Sequence, residues 1–461
     1  MVRPPHRPGI PFQPRRFRLY HRLQRSAGHS HPMKPAELTA FATARVESRA
    51  HPTRGGSVPR QCVLDASGSG AWEKVGGIST IARMLYHLDK LGIEEVVVLL
   101  SSEHGLKGLE RWTGGLRLRQ AGKDAHLSLA GNLLSMARLD RRFLYLDAAH
   151  LVDPRLIKAL AAASKTTLTF MDPRDARNGT VRAGLLHVDD LPAWAEEGDA
   201  ALARRSKPLF PSSIDPYSPE IRGPLTPYFL EVRSREEALE ATRLLIRSQQ
   251  KHVMDLPAEF IDPPFENALT FWLCRTSISP DMVTLIGGAV AFFVAWLFWH
   301  GYFVAGALLT FVVEILDGVD GKLARTKLQF SRFGRHEDVF DYLCENSWYV
   351  ALGVGLSAST PGNWPFFAAA LLIFSDTVDN VLYTLAGKWH GKSIDLYRPF
   401  DAAFRRIAGR RNIYGFMFIV GFLAGFPLQT FILAAVWAAV TAAIHLVRLI
   451  QFGRAVARGC G

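Results

Sequence analysis

EILDGVDGKLARTKLQFSRFG (residues 314–334) ends a long apolar run and carries two carboxylates, Asp317 and Asp320, near the edge of that run. An ionised group beside a membrane is costly, and such groups usually serve a function. The two aspartates are three residues apart, so their side chains share one face of a helix. The small residues Gly318 and Gly321 let a neighbouring helix approach closely and leave room for a ligand.

A second acidic face follows on the next predicted helix. Asp338, Asp341 and Glu345 are spaced by three and four residues, which again places them on one face. Two helices that turn carboxylates toward each other form a hard-oxygen site, and Mg²⁺ or Mn²⁺ is its natural occupant. The alternative is a solvated helix end whose acids pair with Lys322 and Arg325.

The C-terminal part of the chain has the pattern of a membrane protein. It holds six apolar runs, each near the roughly 20 residues that a spanning helix needs. The runs are residues 282–300, 302–324, 337–358, 364–386, 412–426 and 428–451. They predict an all-α, six-helix transmembrane domain over residues 282–455. Lys and Arg concentrate between the second and third runs and between the fourth and fifth. The positive-inside rule therefore predicts a multi-pass inner-membrane protein with both termini and the acidic site on the cytoplasmic side.

The N-terminal part has the pattern of a soluble domain. Over residues 59–250, strand patterns such as QCVLDA, EEVVVLL and RFLYLD alternate with helical patterns such as TIARMLYHLDKLGI and LVDPRLIKALAAA. This alternation predicts an α/β domain with a largely parallel sheet. Residues 251–281 predict a linker and an interfacial helix. Residues 1–58 are basic and proline-rich and predict a disordered tail.

Charge and cysteine usage narrow the classes of partner. The net charge is +12, and much of the excess lies in the first sixty residues and in the loops between apolar runs. This distribution favours an anionic lipid surface or phosphorylated substrates. No RNA- or DNA-binding signature accompanies the charge, so a nucleic-acid partner is not expected. The four cysteines are far apart, which argues against a disulfide framework or a zinc site.

The acidic segment resembles the signature of the CDP-alcohol phosphotransferase family, DxxDGxxARx8GxxxDxxxD. The matching residues are Asp317, Asp320, Gly321, Ala324, Arg325, Gly334 and Asp338. The resemblance implies two divalent metal ions, Mg²⁺ or Mn²⁺, held by the aspartates. It also implies that the CDP moiety binds at Gly321, Ala324, Arg325 and Gly334. In this family an acceptor hydroxyl attacks the β-phosphate of a CDP-alcohol, CMP leaves, and the last aspartate of the signature is the general base.

The sequence departs from the signature at that last aspartate. The expected position is Tyr342, whereas a second register pairs Asp341 with Glu345. We expect Asp317, Asp320, Asp338 and Asp341 to hold the metal, and Asp341 or Glu345 to be the base. A catalytically impaired family member, and a membrane transporter or scaffold whose acids carry ions, are the alternative functions.

The start of the α/β region resembles a nucleotidyltransferase of the sugar-nucleotide type. In VLDASGSGAWEKVGGISTIARMLYHL, a strand leads into a glycine-rich loop, a lysine and a helix. Glycines let backbone amides approach phosphates, and lysine neutralises their charge. The matching positions are Gly68, Gly70 and Lys74, with Asp147 as the metal-binding aspartate after a central strand. The alternative is a turn that binds no ligand.

The order of the two domains is similar to bifunctional enzymes that join an inositol-phosphate cytidylyltransferase to a CDP-inositol phosphotransferase. The resemblance implies that the soluble half makes the CDP-alcohol from CTP and that the membrane helices form a homodimer. FRRIAGRR (residues 404–411) adds Arg406, Arg410 and Arg411 as candidates for binding an acceptor phosphate. A lipid-facing basic cluster is the alternative for these arginines.

Overall fold

The computed structural model describes residues 58–457 except 102–104, 137, 172–175, 177–178, 332–336 and 392. The predicted disordered tail, residues 1–58, thus lies outside the described residues apart from its last position. The described chain folds into an α/β half followed by a helical half.

Seven strands of the α/β half form one sheet in the order β10-β8-β9-β6-β1-β4-β5. The strands are β1 (Gln61–Asp65), β2 (Lys74–Val75), β3 (Ile78–Ser79), β4 (Glu95–Leu100), β5 (Arg117–Gly122), β6 (Arg142–Asp147), β7 (His150–Val152), β8 (Thr167–Thr169), β9 (Ala183–His187), β10 (Lys207–Leu209), β11 (Tyr217–Ser218), β12 (Gly223–Pro224) and β13 (Phe229–Glu231). Strand β9 runs antiparallel to its two neighbours, and the other pairs in this sheet are parallel.

The central strands are buried on both faces because they carry apolar residues at successive positions. In β1, Cys62 and Leu64 pack into one core and Val63 into another, and all three are fully buried. Continuous apolar strands of this kind are typical of parallel sheets covered by helices. The predicted α/β fold with a largely parallel sheet is therefore confirmed. The edge strands β5 and β10 were not predicted, since RLRQAG and KPL are polar and partly exposed.

Six helices of the α/β half are described. They are α1 (Thr80–Leu91), α2 (Leu129–Leu134), α3 (Pro154–Ala161), α4 (Leu191–Glu197), α5 (Asp199–Arg205) and α6 (Arg235–Arg247). Ser79, Asp153 and Ser234 cap α1, α3 and α6 by accepting hydrogen bonds from first-turn backbone amides. Helix α1 ends at Gly92, whose φ of 88° is a left-handed cap that glycine adopts without strain.

The helical half contains a helix at each of the six predicted apolar runs. Its helices are α7 (Leu256–Phe260), α8 (Asp262–Leu273), α9 (Pro280–Trp299), α10 (Phe303–Lys327), α11 (Glu337–Ser357), α12 (Trp364–His390), α13 (Pro399–Phe404), α14 (Arg411–Leu423) and α15 (Pro427–Ala457). Within the described residues, three segments are long and apolar enough to cross a membrane: Pro280–Trp299, Trp364–His390 and Pro427–Arg454. Acidic residues make α10 and α11 less apolar, and α14 is short. The predicted count of six spans therefore stays a prediction.

Packing in the helical half places α10 at the centre of the acidic region. Helix α10 packs against α8, α9 and α14, while α11 packs against α9 and α12. Trp348 and Tyr349 of α11 are almost fully buried in the core of this bundle. Helices α7 and α8 lie within the predicted linker and expose Phe260, Phe265 and Trp272, all more than half exposed. Helix α9 therefore packs against both helices that carry the predicted acids, α10 and α11.

Candidate active site

A cavity in the helical half gathers charged residues from three helices. Asp317 and Asp320 come from α10, Asp341 and Glu345 from α11, and Arg411 from the first turn of α14. Gly287 and Gly288 of α9 are part of the apolar lining, together with Ala291 and Trp348. Four of the five sequence-predicted acids, all but Asp338, are thus brought to one place among the described residues.

The two aspartates of α10 have different environments. Asp317 forms an ion pair with Arg411 at 2.5 Å, and its side chain remains 35% exposed. Asp320 is buried and accepts a hydrogen bond from the Thr284 hydroxyl at 2.7 Å. The pairing of Arg411 with Asp317 was not predicted from the sequence. The basic cluster FRRIAGRR, which contains Arg411, was the sequence feature that could have pointed to this pair.

Helix α11 shows which register faces the cavity. Asp341 and Glu345 line it, and the Tyr349 hydroxyl donates a hydrogen bond to Glu345. Tyr342, which stands where the signature expects an aspartate, instead contacts Thr377 of α12 through its hydroxyl at 2.6 Å. The Asp338 side chain and Gly334 lie outside the described residues.

The remaining signature residues lie further along α10. Gly321, Ala324 and Arg325 are one to two turns beyond Asp317, are partly exposed, and do not line the cavity. The Arg325 guanidinium lies over Gly321, where an added Cβ would be 3.3 Å from its Nη1 atom. A glycine at this position therefore leaves space beside an arginine on the same helix.

The three arginines predicted to bind an acceptor phosphate have three different partners. Arg406 pairs with Glu259 at 2.6 Å, Arg411 pairs with an aspartate of the cavity, and Arg410 lies over the Tyr383 ring at 4.3 Å. The structure therefore places one of them, Arg411, in the acidic cavity.

A buried ionic hub adjoins these arginines and was not predicted. Asp395 is 1% exposed and is contacted by Arg222 of the α/β half at 3.3 Å and by Arg405 at 3.7 Å. Arg405 also donates to Asp255 at 3.2 Å, and Asp255 caps α7. Burial lowers the pKa of Arg405, and nearby Arg410 lowers it further. The hub joins the α/β half, the linker and the loop before α14.

The glycine-rich loop of the α/β half is tightly packed around one glycine. Residues Ser69–Trp72 form a single 3₁₀ turn, and a Cβ added to Gly70 would lie 1.8 Å from the Val232 carbonyl oxygen. Gly68 faces open space, and the Lys74 side chain is exposed on β2. Close packing therefore accounts for Gly70, and the ligand-binding role of the loop stays a prediction.

Two aspartates end neighbouring strands at the carboxyl edge of the sheet. Asp65 of β1 and Asp147 of β6 are register partners. Lys123 donates to Asp65 at 2.7 Å, and Arg182 donates to Asp147 at 3.1 Å. Burial alone would raise the pKa of Asp147, but His150 and the other polar neighbours outweigh burial and lower it. Asp147 was predicted from the sequence as a candidate site residue, but its partners Arg182 and His150 were not.

The oxygen ligands that line the cavity are of the chemical type that a hard divalent cation prefers. Asp317, Asp320 and Asp341 supply carboxylate oxygens, which Mg²⁺ and Mn²⁺ prefer. As the side chains are placed, the described residues contain no group of three or more His, Cys, Asp or Glu arranged to hold a metal ion. Asp317 is instead engaged by Arg411.

Comparison with known proteins adds a family to this geometry. The model of the CDP-alcohol phosphatidyltransferase family matches residues 277–446. The chain is also similar to a bifunctional IPC transferase and DIPP synthase of Rubrobacter xylanophilus, with 35% identity over 108 residues. That match covers 22% of this chain and 24% of the relative, so it spans about a quarter of the relative's length.

Two solved structures are each similar to part of this chain. One is the phosphatidylinositol phosphate synthase of Mycobacterium tuberculosis with CDP-DAG bound, at 19% identity and a TM-score of 0.30, covering 42% of this chain and 92% of that one. The other is the inositol-1-phosphate CTP transferase of T. maritima, at 13% identity and a TM-score of 0.28, covering 40% and 92%. The family resemblance carried by the acidic segment is confirmed by the family model: residues 277–446, which contain the cavity, match a CDP-alcohol phosphatidyltransferase domain.

Proposed function

We propose that this chain is a membrane-embedded CDP-alcohol phosphotransferase that moves a phosphoalcohol group from a CDP-alcohol to an acceptor hydroxyl and releases CMP. One observation carries the proposal. Within the region that matches the family, acids from α10 and α11 line a single cavity together with Arg411. Acids gathered in a partly buried cavity are costly unless they serve a ligand, and a phosphate-bearing substrate with its cations is such a ligand.

The residues proposed to hold divalent metal are Asp317, Asp320 and Asp341, together with Asp338 from the signature. Bound Mg²⁺ or Mn²⁺ would neutralise phosphate charge and stabilise the attacking and leaving oxygens. Arg411 is placed to balance the charge of the cavity, since it lies 2.5 Å from Asp317. Gly321, Ala324 and Arg325, with Gly334, are the proposed contacts for the CDP moiety.

The proposed base is Asp341 or Glu345. In the transfer, the acceptor oxygen forms a bond to the β-phosphorus, and the bond from that phosphorus to the CMP oxygen breaks. CMP keeps the electron pair, and a cavity carboxylate takes the proton of the acceptor hydroxyl. Glu345 is suited to this role because it lines the cavity and Tyr349 holds it by a hydrogen bond.

The α/β half is proposed to supply the CDP-alcohol from CTP. The name of the Rubrobacter xylanophilus relative, bifunctional IPC transferase and DIPP synthase, likewise joins two activities in one chain. Asp65 and Asp147 are suitably paired at the carboxyl edge of the sheet, where ligands of parallel α/β folds bind. A second proposal is that this half is a degenerate scaffold. It is favoured by the close packing of Gly70 and by the ion pair between Arg182 and Asp147.

We also propose a multi-pass inner-membrane location with six spans, cytoplasmic termini and a cytoplasmic site, and a homodimer through the membrane helices. The loop charges support this orientation under the positive-inside rule. Membrane lipid is then a partner of the helical half. Cysteine accessibility labelling from each side of sealed vesicles tests the orientation, and crosslinking in the membrane tests the dimer.

The test of function is CMP release by the full chain in detergent with Mg²⁺ or Mn²⁺. CDP-inositol, CDP-diacylglycerol and CDP-glycerol serve as donors, each with inositol phosphate or glycerol phosphate as acceptor. Asp317→Asn is the matched control because it keeps the shape of the side chain and removes its charge. Release that needs the metal and is lost in Asp317→Asn supports transfer. Metal-independent release, or equal release by the variant, contradicts the assignment. Metal-stimulated ion flux in vesicles without CMP release would favour a transporter.

A further inference from the structure

Arg83 of the α/β half holds the C-terminal end of α10. Its side chain is 4% exposed, and its Nη2 atom donates to the carbonyl oxygens of Val75 at 2.9 Å and Thr326 at 2.6 Å. Thr326 directly follows Arg325, which is the last of the proposed CDP contacts on α10. A residue 243 positions earlier in the chain therefore fixes the helical turn that carries Arg325.

Other contacts between the halves surround the same turn. The Gln249 side chain donates to the Thr326 hydroxyl at 3.2 Å. The turn between β2 and β3 contacts the helical half at Gly77, where an added Cβ would lie 2.0 Å from the Cys274 carbonyl oxygen. Lys327 donates to the Thr276 carbonyl at 2.8 Å. The end of α10 is thus enclosed by both halves.

The chemistry of a helix end explains why an arginine is placed there. The last carbonyls of a helix lack intrahelical partners, and a cation near them is favourable. Burial lowers the pKa of Arg83 to about 10, so the guanidinium stays charged near neutral pH. The cap residue Leu328 has a φ of 51°, which is strained for a residue other than glycine. The surrounding contacts therefore maintain a helix end that local preference does not favour.

We propose that Arg83 is a positioning residue: the α/β half sets the end of α10 and thereby the affinity of the membrane half for its CDP-alcohol. The inference rests on the proposed function. It gives the α/β half a role in the membrane reaction whether or not that half carries out nucleotide chemistry itself.

The experiment compares Arg83→Met with Arg142→Met in the full chain. Arg142 is a matched control because its Nη2 atom also donates to two backbone carbonyls, those of Ala161 and Ala163, but within the α/β half. Hydrogen exchange of the amides in residues 322–331 and the KM for the CDP-alcohol that supports CMP release are measured. In Arg83→Met we expect faster exchange and a KM raised about tenfold with kcat changed less, since a charged hydrogen bond is lost. Arg142→Met should change neither.

A second perturbation disturbs a neighbouring contact between the two halves without removing a charge. Gly77→Ala places a methyl group against the Cys274 carbonyl, whereas Gly92→Ala has open space around it and a similar φ, +88° against +82°. Gly77→Ala should repeat the Arg83→Met effects and Gly92→Ala should not. Unchanged hydrogen exchange in both Arg83→Met and Gly77→Ala overturns the proposal. Faster exchange with an unchanged KM also overturns it, because the contact would then support the structure without affecting CDP-alcohol affinity. If the wild-type chain releases no CMP, the proposed function fails, while the exchange comparison still decides whether Arg83 holds α10.

Discussion

The identity of the catalytic base can be tested by three conservative substitutions on α11. We predict that Tyr342→Phe leaves CMP release within about twofold of wild type, because its hydroxyl contacts α12 and not the cavity. Asp341→Asn and Glu345→Gln each alter a carboxylate that lines the cavity. The variant that removes the base should lower kcat by about 100-fold to 10,000-fold, the usual contribution of general-base catalysis.

The contacts of Tyr342 and Glu345 indicate how much stability Tyr342→Phe and Glu345→Gln should cost. The Thr377 hydroxyl already donates to the Ile373 carbonyl at 2.6 Å, so Tyr342 is the donor in their hydrogen bond. Tyr342→Phe therefore removes one neutral bond and leaves Thr377 satisfied, at a cost of about 0.5–1.5 kcal/mol. Glu345→Gln retains an oxygen that can accept from Tyr349, so the fold should persist.

The assay is steady-state CMP release at saturating donor, with thermal unfolding in detergent to confirm that each variant is folded. The assignment of the base would be refuted if a folded Tyr342→Phe variant lost CMP release by about 100-fold or more while Asp341→Asn and Glu345→Gln both kept full activity. Loss of CMP release in Asp341→Asn alone would mean that Asp341 is either the base or a metal ligand. Titrating that variant with metal separates the two roles, because excess metal restores activity only if metal binding was weakened.

Three further predictions concern metal binding, pH and the ionic hub. Mn²⁺ should raise the unfolding temperature of wild type but not of Asp317→Asn, as a thermal-shift titration would show. Burial raises the pKa of Asp262 to about 7, so its protonated form stabilises the fold at low pH and this contribution is lost as the pH rises from 3.8 through 7. Asp262→Asn should therefore flatten the fall in unfolding temperature between pH 5 and pH 8; an unchanged slope contradicts it. Asp395→Asn should destabilise the fold by about 1.5–3 kcal/mol, because the buried Arg405 loses one of its two carboxylate partners and keeps Asp255. Asp189→Asn breaks an exposed ion pair and should cost at most about 1 kcal/mol by the same unfolding measurement.

Local patterns predicted the helices and the main strands because burial has a period that the sequence displays. Apolar runs of about 20 residues produced helices at the predicted places in the helical half. The spacing of Asp317 and Asp320, and of Asp341 and Glu345, predicted two acidic faces, and both line one cavity. The polar edge strand Arg117–Gly122 lacked such a pattern and was missed.

Partners distant in the chain could not be predicted in this way. Arg411 is 94 residues from Asp317 in the sequence. Nothing in the sequence distinguishes it from the nearby Arg406 and Arg410, yet among these three only Arg411 lines the cavity. Periodicity likewise gives no reason for Arg83 to meet a carbonyl of α10. The choice between the two registers of α11 required the direction of Tyr342, which depends on how α11 packs against α12.

The charge balance of the cavity links these details to the proposed chemistry. Four carboxylates and one guanidinium are among the described lining residues, so the lining carries excess negative charge when its acids are ionised. A CDP-alcohol would bring further negative charge on its diphosphate, and like charges in a partly buried site repel strongly. We therefore expect donor binding at this cavity to need added cations, because Arg411 is already paired with Asp317 at 2.5 Å. We predict that a chelator lowers the affinity for the CDP-alcohol. Affinity that persists unchanged in the chelator would show that the donor binds elsewhere.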